Sequence, residues 1–151
     1  MDRRPYIVGP TADKGGPPIV YRAELPAVED FVRLFRSSGW SEALEVPAGK
    51  LAESVAHAWY GVCAYRGGEV VGTGMVLSDG ALHALIVDVI VVPEQRGRGI
   101  GTEIMKRLVA RCREADVHHI QLFSARGRRS FYERLGFEAR PEDGPGMELR
   151  D

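Results

Sequence analysis

Cysteine is scarce in this chain of 151 residues: only Cys63 and Cys112 occur, and neither belongs to a CxxC or Cys/His spacing. That excludes the usual sequence signature of a structural zinc site. Cys63 falls in a strand-like run and Cys112 on a helix-like apolar face, so both read as buried free thiols in a reducing compartment. Charge of one sign is missing as well: 20 Lys and Arg stand against 21 Asp and Glu, a formal net charge of −1. Without a global basic excess, neither nucleic acid nor an anionic membrane is an expected partner, and any anion site must be local. No apolar run approaches the roughly 20 residues needed to span a bilayer. The leading segment MDRRPYIVGPTADKGGPP lacks the apolar core of a signal peptide. A soluble, cytoplasmic protein is expected. Residues 1–18, rich in Gly and Pro, read as a flexible tail, and residues 19–151 as one folded domain. With 44% apolar residues, a chain of this length can bury a core.

What is present is a clear succession of periodic segments. PIVYRAEL alternates as a short strand does, and Val28, Phe31, Val32 and Phe35 recur at helical spacing after Pro26, predicting a helix from about Ala27 to Ser38. PAGKLAESVAHA carries Leu51 and Val55 one turn apart and predicts a second helix. Three apolar or alternating runs follow between residues 59 and 92, separated by Arg66-Gly67-Gly68-Glu69 and Ser78-Asp79-Gly80, which predict antiparallel strands and tight hairpins. The third run is nearly unbroken in apolar character, as in a strand covered on both faces. Farther on, Ile100, Ile104, Leu108 and Cys112 mark one helical stripe, with Glu103, Arg107 and Arg111 opposite. HHIQLF predicts a fifth strand, RRSFYERL a short helix stopped by Gly136, and GFEARPEDGPGMELR a broken final strand or hairpin. The class is α/β (α+β), a mixed sheet covered by helices.

Between the third long run and the helix after it lies VVPEQRGRGIGTEIM, residues 91–105. Glycine lets the backbone approach a ligand and adopt positive φ, so that neighbouring N–H groups converge on an anion. A helix N-terminus adds unsatisfied donors and a favourable dipole. Gly97, Gly99 and Gly101, flanked by Arg96 and Arg98, therefore point to a phosphate-bearing ligand. No Lys-Ser/Thr follows Gly101, so this is not a nucleoside-triphosphate loop. Thr102 stands where a dinucleotide fingerprint would place its last glycine. A tight turn with close helix packing is the bland alternative.

VIVVPEQRGRGIGTEIMKRL resembles the acyl-CoA-binding motif of the GNAT superfamily of N-acetyltransferases, an Arg or Gln, two residues, Gly, one residue, then Gly or Ala, here Arg96, Gly99 and Gly101. A second segment, SFYERLGF at residues 130–137, is similar to the family's aromatic-Tyr-Glu-x-Leu-Gly-Phe signature. The resemblance covers about residues 19–140 and implies a single-domain, largely antiparallel mixed sheet of six to seven strands covered by about four helices. It implies acetyl-CoA as cosubstrate, no metal, and direct attack of a primary amine on the thioester in a ternary complex. Main-chain N–H groups from Arg96, Gly97, Arg98, Gly99, Ile100, Gly101 and Thr102 would then hold the pyrophosphate, and the backbone of Val89 and Val91 the pantetheine arm and thioester carbonyl.

Acyl transfer to an amine needs a base for the nucleophile and a proton for the departing thiolate. Tyr132 stands at the tyrosine position of the second motif, where the resemblance implies the acid; a plain core tyrosine is the alternative. Asp88, a carboxylate inside LIVDVIVV, and His83 are the candidate bases, with a water chain as a third option. Strand alternation puts the two on opposite faces unless a bulge intervenes. Arg126, Arg128 and Arg129, in SARGRR, are candidates for the ribose phosphate, with a solvated basic turn as the alternative, and Trp40 is a candidate for the acceptor pocket. The acceptor is expected to be a small-molecule or peptide amine, and a homodimer is one assembly open to such a chain. A non-catalytic acyl-CoA-binding or regulatory module, and a nucleotide-binding protein, are the competing readings.

Overall fold

The computed structural model describes residues 15–40 and 43–150, so residues 1–14 of the expected tail lie outside the described residues. In chain order the elements are β1 (Ile19–Arg22), α1 (Val28–Ser37), α2 (Ala48–His57), β2 (Tyr60–Arg66), β3 (Glu69–Ser78) and β4 (His83–Val91), then a 3-10 turn at Pro93–Gln95, α3 (Ile100–Glu114), β5 (His119–Leu122) and α4 (Arg129–Glu133). The five strands form one sheet in sequence order. β1 to β4 are antiparallel neighbours. β5 lies parallel to β4, because the chain crosses over through α3 before returning to the sheet.

Alternation along the strands builds two cores. Val62, Ala64, Val76, Ala84 and Ile86 pack with Ile100, Ile104, Met105, Leu108 and Cys112 of α3. Cys63, Val70, Met75 and Ile90 turn to the other face, where α1 contributes Phe31, Leu34 and Phe35 and α2 contributes Leu51 and Val55. Glu29 and Asp30 in the first turn of α1 and Arg36 in its last oppose the helix dipole favourably. β4 feeds both clusters, as its apolar run predicts. Both thiols are fully buried, and burial pushes that of Cys63 up to about 11. Among the described residues no helix is long and apolar enough to cross a membrane.

One expectation is corrected: among the described residues the sheet has five strands, not six to seven. The expected final strand or hairpin is absent, and residues 138–150 run without helix or strand. Pro141 and Pro145 have no N–H to give to a ladder, and Gly144 and Gly146 beside them carry no side chain to pack, so this composition does not sustain pairing.

α3 lies at backbone distance from β3. A Cβ on Gly74 would come within 2.8 Å of Ile104 Cγ2, 2.9 Å of Leu108 Cδ1 and 3.2 Å of Val89 Cγ2. Gly74→Ala is therefore expected to lower stability by about 1–3 kcal/mol through overpacking. A shifted midpoint of chemical denaturation at unchanged slope is the measurement that checks it.

Candidate active site

The parallel pairing of β4 with β5 ends at Ile86↔Leu122. From there the two chains separate and leave a cleft of about 1180 Å³ between the end of β4, the loop before α3, α4 and the turn after α1. The opening follows from an irregularity in β4. Thr73 pairs with Ile90 and Met75 with Val87, so two steps on β3 face three on β4. The extra residue is Asp88, held at φ +53°. A bulge of this kind reverses the side-chain alternation beyond it. Ala84 and Ile86 face α3 before the bulge, and Val89 and Val91 face α3 after it. Aspartate tolerates this left-handed conformation better than the branched residues around it.

Asp88 lines the cleft. Burial pushes its carboxyl up from the ordinary 3.8 to about 6. Among the described residues no hydrogen bond or ion pair offsets that burial. His83, the other candidate base, sits at the opposite end of β4, exposed, with its ring stacked 5.4 Å from that of His119. It does not line the cleft. The bulge carries Asp88 to the site and leaves His83 behind.

The loop before α3 is built on left-handed glycines. Gly99 caps the helix at φ +81°, and a Cβ there would meet no protein atom within 4 Å. Its glycine is required by conformation, and the space beside it opens to solvent and cleft. Glu103 N–H donates to Gly99 O at 3.1 Å. Among the described residues no carbonyl accepts from the amides of Gly97, Gly99, Ile100, Gly101 or Thr102. These donors stand at the positive end of a 15-residue helix and line the cleft. Arg96 is held differently from these residues. Its amide donates to Pro93 O at 3.3 Å, and its guanidinium bonds Val91 O at 3.0 Å and Ser37 O at 3.4 Å. Its side chain is engaged with the protein's own carbonyls, not extended toward an anion.

Tyr132 comes to the cleft on α4. The helix ends in a Schellman arrangement: Gly136, at φ +91°, donates to Glu133 O at 3.0 Å, and Phe137 N–H to Tyr132 O at 3.1 Å. That fold-back brings the Phe137 ring edge-on to Tyr132 at 6.3 Å, while Phe131 holds it from the other side at 5.0 Å. The Leu-Gly-Phe sequence is thus what fixes the phenol. Burial raises the Tyr132 hydroxyl above its ordinary value, with the Arg128 cation pulling the other way. Among the described residues it has no hydrogen-bond partner.

Trp40 lines the far wall, edge-on to Phe35 at 5.4 Å, with Ser38 and Gly39 beside it. Arg126 and Arg128 line the rim after β5. Phe123, 68% exposed at the end of β5, also lines the cleft. Sequence reasoning overlooked Phe123 and Ser38; the end of a strand and the residues just past a helix were the signals that could have pointed to them.

The Asp88 geometry makes a sign-definite prediction. A carboxyl whose folded pKa is raised favours folding least when ionised, so the cost is absent below about pH 4 and complete once pH rises through about 6. A shift of that size is on the order of 3 kcal/mol. Asp88→Asn keeps the left-handed geometry and removes the charge. Its stability relative to the parent protein is expected to be greater at pH 8 than at pH 4, read from denaturation curves at the two values.

The sequence matches the Acetyltransferase (GNAT) family over residues 25–137. It is 39% identical over 79 residues to GCN5-related N-acetyltransferase 2, chloroplastic, of Arabidopsis thaliana, covering 52% of this chain and 31% of that one. It is 37% identical over 78 residues to Histone acetyltransferase TAP1 of Glycine max, covering 52% of this chain and 34% of that one. The matched segment thus spans about a third of these curated relatives. Among solved structures, a GNAT family acetyltransferase of Streptococcus pneumoniae superposes with a TM-score of 0.75 at 26% identity, over 88% of this chain and 98% of that one. With the diverging strands, the glycine-built loop and the phenol on α4 already in place, the chain belongs to the GNAT acetyltransferase superfamily.

Proposed function

We propose that the cleft binds acetyl-CoA and that the protein transfers its acetyl group to a primary amine, of a small molecule or a peptide, by direct attack in a ternary complex. The observation that carries this reading is the set of amides at Gly97 and residues 99–102, unbonded among the described residues, opening onto the same cleft as the Asp88 carboxyl and the Tyr132 phenol, which have no partner among those residues either.

The residues fit such a cosubstrate. The amides of Gly97, Gly99, Ile100, Gly101 and Thr102 suit a diphosphate, being clustered, aligned with the helix dipole and, at Gly97 and Gly99, next to open space. The β4 edge facing β5 is open beyond Ile86, so the backbone of Val89 is available to an extended amide-bearing arm. Val91 O already accepts from Arg96, which leaves Val89 as the principal backbone contact. Arg126, on the rim, suits a ribose phosphate. Acetyl-CoA, when bound, supplies an activated acyl group and a sulfur leaving group.

Asp88 is assigned the base. With a carboxyl near 6 it is ionised at neutral pH, attracts an ammonium group, and takes a proton at its carboxylate oxygen as the amine becomes a nucleophile. Tyr132 is assigned the acid. Its raised pKa keeps a proton on the hydroxyl across the neutral range, ready for a developing thiolate. Trp40 forms the apolar part of the acceptor wall. His83 is left without a role in the transfer.

Two variants test the reading. A Cβ at Gly101 would stand 3.6 Å from Phe131 Cζ and 3.8 Å from Val91 Cγ2, ordinary contacts that the fold accommodates but that lie inside the cleft. Gly101→Val is expected to weaken coenzyme A binding at least about tenfold, roughly 1.4 kcal/mol, in a protein that still unfolds cooperatively; an unchanged calorimetric affinity refutes the loop assignment. Tyr132→Phe retains the ring packing and loses the proton. Turnover is expected to fall about 10²-fold or more with coenzyme A affinity maintained, and full turnover of this variant in a thiol-release assay removes Tyr132 from the chemistry.

A further inference from the structure

We propose that Arg96 is a positioning residue that couples the two walls of the cleft, so that a diphosphate held by the loop tightens the turn after α1 against which the acceptor docks; this rests on the cleft being the acetyl-CoA site.

The stretch just ahead of the loop is anchored from several directions. Gln95 N–H donates to Val92 O at 3.0 Å, and the Gln95 side-chain carbonyl accepts from Arg66 at 2.6 Å. Arg96, exposed where it lines the cleft, then bridges β4 and α1. Its Nε reaches Val91 O at the end of β4, and its Nη2 reaches Ser37 O at the last residue of α1. The final carbonyls of a helix lack intrahelical donors and carry the negative end of its dipole, so a guanidinium is the natural partner there.

The turn that Arg96 touches is a small bonded unit. Ser38 N–H donates to Phe35 O at 3.1 Å, Trp40 N–H to Ser38 Oγ at 3.2 Å, and Ala43 N–H to Trp40 O at 3.0 Å. Gly39 sits at φ +78°. The Arg36 guanidinium closes the unit on Ala43 O, and the Trp40 ring rests edge-on against Phe35. Ser38, Gly39 and Trp40 all line the cleft. The donors that await an anion begin at Gly97, next to Arg96, and the Arg96 guanidinium holds the opposite wall by the Ser37 carbonyl.

Binding that restricts the loop reduces what Arg96 has to lose in holding Ser37 O, and the turn is stabilised in proportion. The coupling is reciprocal, so an acceptor docked on Trp40 favours the donor equally. An Arg96 that swung to the phosphate would do the reverse, releasing Ser37 O and loosening the turn.

Hydrogen exchange resolved to single amides, with coenzyme A as the added ligand, separates these outcomes. In the parent protein, saturating coenzyme A is expected to slow the amides of residues 97–102 and also those of Trp40 and Ala43, the latter by about fivefold. Arg96→Met is expected to keep the ligand-induced protection of the loop and lose it at Trp40 and Ala43. Arg96→Lys, which retains a charge and a donor, is expected to restore part of it, and serves as the readout should the methionine variant fail to fold. Protection of Trp40 and Ala43 that persists in Arg96→Met, that never develops in the parent protein, or that turns into faster exchange overturns the coupling while leaving loop protection intact. Loss of loop protection confined to Arg96→Met makes Arg96 a ligand-binding residue and likewise overturns it. No loop protection in the parent protein defeats the cofactor assignment itself.

Discussion

α3 rests on β3 where the strand presents Gly72 and Gly74 instead of side chains, and Ile100, Ile104 and Leu108 fill the space that their Cβ atoms would occupy. This close approach is the constraint from which the rest of the site descends. It fixes the height of the helix above the sheet and therefore where its N-terminal amides emerge relative to the end of β4. It also meets Val89 across Gly74, so the residue after the bulge is held by the same contact that seats the helix. Loop, bulge and helix are consequently one packed unit, and a disturbance at the glycine face reaches the amides without touching them.

Burial acts on the two titratable groups of the cleft in the same direction and with opposite chemical results. It raises the Asp88 carboxyl toward neutrality, which makes it a stronger proton acceptor than an exposed aspartate. It raises the Tyr132 phenol, which makes it a firmer holder of its proton, and Arg128 partly offsets that effect. An acid and a base in complementary protonation states across neutral pH thus arise from a single environment. Neither group has a partner among the described residues, which distinguishes them from the Tyr65 phenol of β2, bonded to Glu24 just after β1.

Much of this was legible in the residues because strong local signals agreed with the tertiary arrangement. The alternating runs marked β2 and β3, and the stripe of Ile100, Ile104, Leu108 and Cys112 marked α3, since burial on one face is what the sequence period encodes. The glycine loop was legible because left-handed backbone has few substitutes for glycine. The bulge was foreseen only as a condition, although the polar Asp88 within LIVDVIVV marked its place. The position of His83 followed from strand length and splay, which pattern does not carry. The reach of Arg96 to the end of α1 was not legible, because the carbonyl it binds, Ser37 O, is 59 residues away in the chain. The supposed last strand failed because alternation in GMELR competes with the proline and glycine just before it.

The depth of the two sulfurs has a practical side. Cys63 and Cys112 are both fully enclosed, and desolvation raises each thiol above its ordinary value. Thiolate is the species that colorimetric disulfide reagents detect. The intact polypeptide should therefore stay silent toward such reagents, so that colour in a release assay tracks product alone, and a slow rise in background absorbance would report that molecules in the cuvette are coming apart.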